Sequence, residues 1–172
     1  MIGKGKSISH GVAALEYDLA KEINGQAVAT EIARHELYGC TGAEMVQEMK
    51  PYHIDFPNVK NNCLRFEVSP SIEESATFTD ADWAELGNDF MQRMGLANHQ
   101  YIIIRHSGTE SKKEQAHLHI LANRVSLSGE LYRDNWIGKK ATEAANAIAK
   151  ERNFVQSQDI GKVNKAEIKE AM

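Results

Sequence analysis

Apolar residues recur along this chain with two periods, and the switch between them marks the expected elements. Between residues 11 and 23, Val12, Leu15 and Leu19 fall three to four apart, which predicts a helix that also carries Tyr17. A second helix is expected from Thr41, which stands three residues before Glu44 in capping-box spacing, to a stop ahead of Pro51. At 64–69 the period drops to two. Leu64, Phe66 and Val68 then share one side of a strand, and Arg65, Glu67 and Ser69 the other, so one strand face is charged. Helical spacing returns at 79–95, where Thr79 opens the segment, Trp83, Leu86, Phe90 and Met94 line one side, and Gly95 closes it. Residues 1–7 read as an edge strand, 99–106 and 116–125 as two further strands, Ser128-Gly129 as a turn, and 141–152 as a helix before a charged tail. The order predicts an α+β domain, an antiparallel sheet with helices on its back face. No internal repeat, low-complexity tract or linker interrupts it.

The last two strands carry the chain's most distinctive chemistry. His117-Leu118-His119 places two imidazoles on one strand face, where an ordinary sheet would be apolar. His106 ends the preceding strand, eleven residues upstream of His117 across the polar link SGTESKKEQA. A hairpin therefore brings three imidazoles together. Three neutral imidazoles form a site for a divalent metal that leaves coordination positions open for substrate oxygens, the layout of a catalytic centre. A lone pair of histidines in a strand is more often surface or packing; the third histidine and the polar face favour metal. A divalent ion, Mg²⁺ or Mn²⁺, is expected in function, and because the three donors are neutral imidazoles, hard Mg²⁺ should bind modestly and Mn²⁺, Ni²⁺ or Zn²⁺ more tightly.

Length, charge and cysteine content bound the reading. At 172 residues the chain suits one catalytic domain spanning 1–172. No signal-peptide pattern and no apolar run of membrane-spanning length is present, and Cys40 and Cys63 read as reduced thiols, so a cytoplasmic protein with no membrane partner is expected. The net charge of −4 is not that of a typical nucleic-acid binder. Its distribution alters the picture, because residues 41–98 hold four basic groups against ten acidic ones, which leaves the rest of the chain at +2. Lys4, Lys6, Arg105 and Arg124 lie in or near the segments that carry the chemistry, so they are candidate phosphate contacts.

The string EQAHLHILANRVSLSGELYRDNWI resembles the third motif of the relaxase/mobilisation nuclease family, endonucleases of the HUH type. The stretch LRFEVSPSIEESATFTDADWAELGNDFMQRMGLANHQYIIIRH is similar to the family's second motif and the strand leading to its first metal histidine, and MIGKGKSISHGVAALEYDLAKE to its first motif. Nearly the whole chain is covered in the expected order, nearest to mobilisation proteins of the Bacteroides type. One departure stands out. The link between His106 and His117 is longer than the Asp-rich link of many members, which leaves Glu110 or Glu114 in place of that acid.

The resemblance implies a central five-stranded palm-like sheet and a relaxase catalytic domain, cut from a protein that continues further. It implies Tyr17 as nucleophile and His106, His117 and His119 as ligands of a divalent ion. Ser69 would hold DNA beside the cleaved bond, with Asn123 the polar residue four beyond the last histidine. Glu67 would orient a metal histidine or help deprotonate Tyr17. The implied reaction is nicking and rejoining of single-stranded DNA at a transfer origin through a 5′-phosphotyrosyl intermediate, with accessory mobilisation and coupling proteins as further partners. His10, Tyr52, Tyr101 and Tyr132 compete with Tyr17 as nucleophile, and Trp136 and Tyr132 are candidate stacking surfaces for unpaired bases. Two other readings stay open: a non-catalytic single-strand DNA-binding protein of the same fold, and a phosphodiesterase that uses water.

Overall fold

The computed structural model describes residues 1–107 and 115–157. Its core is a five-stranded antiparallel sheet in the order β1-β5-β7-β6-β4. The strands are β1 (Ile2–Ile8), β4 (Ala29–His35), β5 (Cys63–Ser69), β6 (Tyr101–His106) and β7 (His117–Asn123). A separate ribbon pairs β2 (Glu22–Ile23) with β3 (Gln26–Ala27). The helices are α1 (Gly11–Ala20), α2 (Gly42–Met49), the single turn α3 (Ile72–Ser75), α4 (Asp80–Arg93) and α5 (Ile137–Glu151). The α+β sheet is thus the expected one, with β1 at its edge. No helix among the described residues is long and apolar enough to cross a membrane.

The two long helices pack on one face. Leu64, Phe66 and Val68 of β5 and Leu118, Ile120 and Ala122 of β7 join Trp83, Leu86 and Phe90 of α4 and Ala141, Ala145 and Ile148 of α5 in one buried cluster. Helix α5 sits so close to β1 that a Cβ at Gly3 would stand 2.3 Å from the Ala141 carbonyl oxygen. Side-chain alternation sends Arg65, Glu67, His117 and His119 to the other face. That face is covered in part. Cys63, Ile102, Ile104 and Leu121 are apolar residues on it, and α1 and α2 bury them with Leu15, Met45 and Met49. The polar remainder of the face, around the histidines, is what the helices leave.

Local signals explain most boundaries. Thr79 caps α4 in a full capping box with Asp82, and Gly95 ends it at φ +78°. Thr41 accepts from the Glu44 backbone N–H, but the Glu44 carboxylate turns to the Cys40 N–H, so only half of the expected box forms. The larger differences from the sequence reading lie in α1, β4 and α5. Helix α1 stops at Ala20 and not at residue 23, because Asn24-Gly25, both at positive φ, close the β2–β3 turn. Strand β4 had no prediction; its short apolar alternation in VATEIARH includes two charged residues. Helix α5 begins four residues before 141, at Ile137, after Trp136 in the left-handed region.

Candidate metal centre

Strands β6 and β7 are paired so that His106 lies opposite His117. With His119 two residues further along β7, all three side chains leave the same sheet face. The ring centroids of His106 and His119 are 4.3 Å apart and those of His117 and His119 4.8 Å. One ring nitrogen from each lies within 4.8 Å of the other two. On the opposite face Leu118 and Ile120 are buried in the α4–α5 core, which fixes the strand that presents the pair.

Hydrogen bonds set the tautomers. The Nε2 of His106 is 2.7 Å from the Asp18 carbonyl oxygen and must donate to it, which leaves Nδ1 as a lone pair. That Nδ1 is buried without a hydrogen-bond partner. The Nδ1 of His117 donates likewise to the Gln115 carbonyl at 2.7 Å, so its Nε2 is a lone pair that accepts from Nε2 of His119 at 3.0 Å. Burial, reinforced by His106, His117, Arg65 and Lys21, pushes His119 down to about 2, and burial also lowers His106. Imidazoles so placed stay neutral, the form that ligates metal. A buried unpartnered nitrogen and two further imidazole nitrogens beside it, which a metal would join in place of their shared proton, fit a divalent transition ion. These residues could hold a metal.

Charged groups surround the cluster. Glu67 lies opposite His119 in register, and its Oε1 is 3.7 Å from Nε2 of His117. Lys4 and Lys6 project from edge strand β1 opposite Glu67 and Arg65. Together with Arg65, Glu67 and His119 they line an open cavity of about 210 Å³. Ser69, at the end of β5 on this face, is buried. Tyr17 is 61% exposed on α1, one residue before Asp18.

Other expected residues sit elsewhere or are committed within the fold. Asn123 is fully buried: its Oδ1 lies 2.7 Å from Nε2 of His53 and accepts from the Val125 N–H, and its Nδ2 donates to Met49 O and Gln100 Oε1. Arg105 points to the opposite face and pairs with Asp80 of α4. Arg124 holds the Tyr132 and Asn61 carbonyls and Asp134. The Tyr101 hydroxyl donates to Asn88 and that of Tyr132 to the Met94 carbonyl. His10 precedes α1 and is exposed, Tyr52 is half-buried, and Trp136 is 78% exposed. Glu110 and Glu114 lie outside the described residues. Both cysteines are free thiols, Cys40 exposed and Cys63 buried.

The sequence reading missed Asp18. It is 1% exposed, between Arg65 and His119, with Oδ1 2.6 Å from an Arg65 terminal nitrogen and 4.0 Å from Nδ1 of His119. The signal was present: Gly11, Ala14, Leu15 and Asp18 share the buried stripe of α1, and a carboxylate on such a stripe must be paired.

A family model described as Relaxase: MobA/VirD2-like, nuclease domain matches residues 17–154, a span that runs from Tyr17 past the histidine strands into the segment after α5. No curated protein and no solved structure matches the chain.

Proposed function

The chain belongs to the MobA/VirD2-like relaxase nuclease family, and from that premise we propose that it nicks and rejoins one DNA strand at a transfer origin through a covalent link to Tyr17. The observation that carries the reading is the convergence of His106, His117 and His119, with the unpartnered Nδ1 of His106 among them, on the sheet face crossed by the helix of Tyr17. A divalent ion held there would supply Lewis-acid polarisation of the scissile phosphate and neutralise the charge that develops on it. The residues of the chain do the rest. The Tyr17 hydroxyl, exposed and free to meet a strand, attacks phosphorus in line; the P–O3′ bond breaks, and the leaving oxygen takes a proton to become a 3′ hydroxyl. Glu67, beside His117, orients that imidazole or receives the phenol proton. Lys4 and Lys6 meet the flanking phosphates along β1, and Ser69 lies at the end of β5 on the same face. The phosphotyrosyl bond retains the energy of the diester, so reversal rejoins the strand. Single-stranded DNA in the cytoplasm is the proposed substrate, with accessory mobilisation and coupling proteins as partners.

The test is a denaturing gel after incubation with single-stranded origin oligonucleotides and Mn²⁺. Wild-type protein is expected to give a protein–DNA adduct that maps to the peptide containing Tyr17, and Tyr17→Phe to bind DNA without cutting it. An adduct on His10 or Tyr52 would move the nucleophile. Cutting without any adduct would establish the water-using phosphodiesterase instead.

A further inference from the structure

We propose that Asp18 is the positioning residue of the histidine cluster, holding two of the three imidazoles at once and tying them to the helix of Tyr17; the inference rests on the metal-binding reading above. One hold is through the backbone. The Asp18 carbonyl accepts the His106 Nε2–H at 2.7 Å and thereby turns Nδ1 toward His117 and His119. The other is electrostatic, through the side chain, whose Oδ1 stands 4.0 Å from Nδ1 of His119, outside hydrogen-bond distance but facing that nitrogen. A metal on Nε2 of His119 would leave the ring proton on Nδ1, the nitrogen that faces this carboxylate, with Nε2 beside Nε2 of His117 where the ligand atoms converge. A carboxylate behind an imidazole fixes its tautomer and raises its basicity as a ligand.

Arg65 makes this placement stable and limits it. A buried carboxylate is costly unless paired, and Arg65 pairs with both oxygens, at 2.6 Å to Oδ1 and 3.3 Å to Oδ2. The same grip keeps Asp18 from swinging forward as a fourth ligand, which leaves coordination positions for phosphate oxygens. Because Ala14 and Leu15 anchor α1 in the second core cluster, Asp18 also registers the helix of Tyr17 against the histidine strands.

The carboxylate's part is testable by titrating Mn²⁺ into the chelator-treated protein and measuring affinity by calorimetry. Asp18→Asn is expected to weaken Mn²⁺ binding about 10- to 100-fold, the usual effect of losing an outer-shell carboxylate. Arg65→Gln breaks the same ion pair from the other side and is expected to bind Mn²⁺ as tightly as wild type or more so. Equal weakening in the two variants would reduce the pair to structural support and overturn the proposal, as would unchanged affinity in Asp18→Asn. If Asp18→Asn lacks a cooperative melt, nuclear magnetic resonance of the Zn²⁺-loaded wild type decides: a slowly exchanging, downfield His119 Nδ1–H is expected, and a rapidly exchanging one overturns the assignment. Absence of any Mn²⁺ binding by wild type would remove the metal reading itself, a result distinct from equal binding by wild type and Asp18→Asn.

Discussion

His119 shows how one side chain joins stability to chemistry. Its side chain is largely enclosed by two other imidazoles and near a guanidinium, so the folded protein holds it neutral down to about pH 2, whereas the unfolded chain protonates it near 6.5. The folded-state pKa is the depressed one, so the associated stability is complete above 6.5 and is lost as the pH falls toward the folded value. Each such group removes about 1.4 kcal/mol of stability per pH unit within that window. His106 and His99 are shifted in the same direction by burial and add to the slope. Denaturant titrations in chelator are therefore expected to show stability falling from about pH 6 to about pH 5, with a slope shallower by about 1.4 kcal/mol per unit in His119→Gln. An unchanged slope in that variant would mean that His119 is protonated in the folded state.

At the scale of elements, the sheet divides its labour between faces. Helices α4 and α5 bury one side almost completely, while α1 and α2 cover only the apolar part of the other. The closest approach is α5 on β1, where Gly3 leaves room for the Ala141 carbonyl. Gly3→Ala would force two backbones apart and is expected to cost about 1 to 3 kcal/mol of stability, read as a lowered urea midpoint. Because that contact lies across the sheet from the histidines, Mn²⁺ affinity should not change; a loss of affinity with intact folding would show that β1 transmits strain to the site. Asn123 is the corresponding pin on the histidine face, joining β7 through its amide to the Met49 carbonyl at the end of α2 and to His53 and Gln100.

Over the whole molecule, a net charge of −4 is compatible with a DNA partner only because charge is local. Lys4 and Lys6 are exposed on the edge strand beside the cavity that reaches His119, whereas Arg105 and Arg124 are tied into ion pairs. Binding of a single-stranded origin oligonucleotide should weaken as salt rises. In the Lys4→Ala/Lys6→Ala double variant the slope of log affinity against log salt is expected to shrink by about 1.4, at roughly 0.7 per phosphate contact on a single strand. An unaltered slope would place the DNA path elsewhere, while in chelator His119→Ala should keep the slope of the metal-free wild type because it removes no cation.

The sequence by itself determined the elements whose signals are local. Two-residue alternation exposed the charged face of β5 and the paired histidines of β7, capping residues bounded α4, and the motif order pointed to the relaxase family to which the chain belongs. Elements with weaker signals, β4 and the β2–β3 ribbon, appeared only with their partners in place. Tertiary structure decided the roles of polar residues that composition treats alike. Arg65 and Arg105 are both strand arginines, yet one grips Asp18 on the histidine face and the other pairs with α4 on the far side. Asp18 reads as a helix-surface acid until α1 is laid over β5, β6 and β7, when its carbonyl meets His106 and its carboxylate faces His119. The physical reason is range: period and caps are set by neighbours within a turn or a strand, whereas a ligand's tautomer and a carboxylate's burial depend on groups brought together from distant parts of the chain.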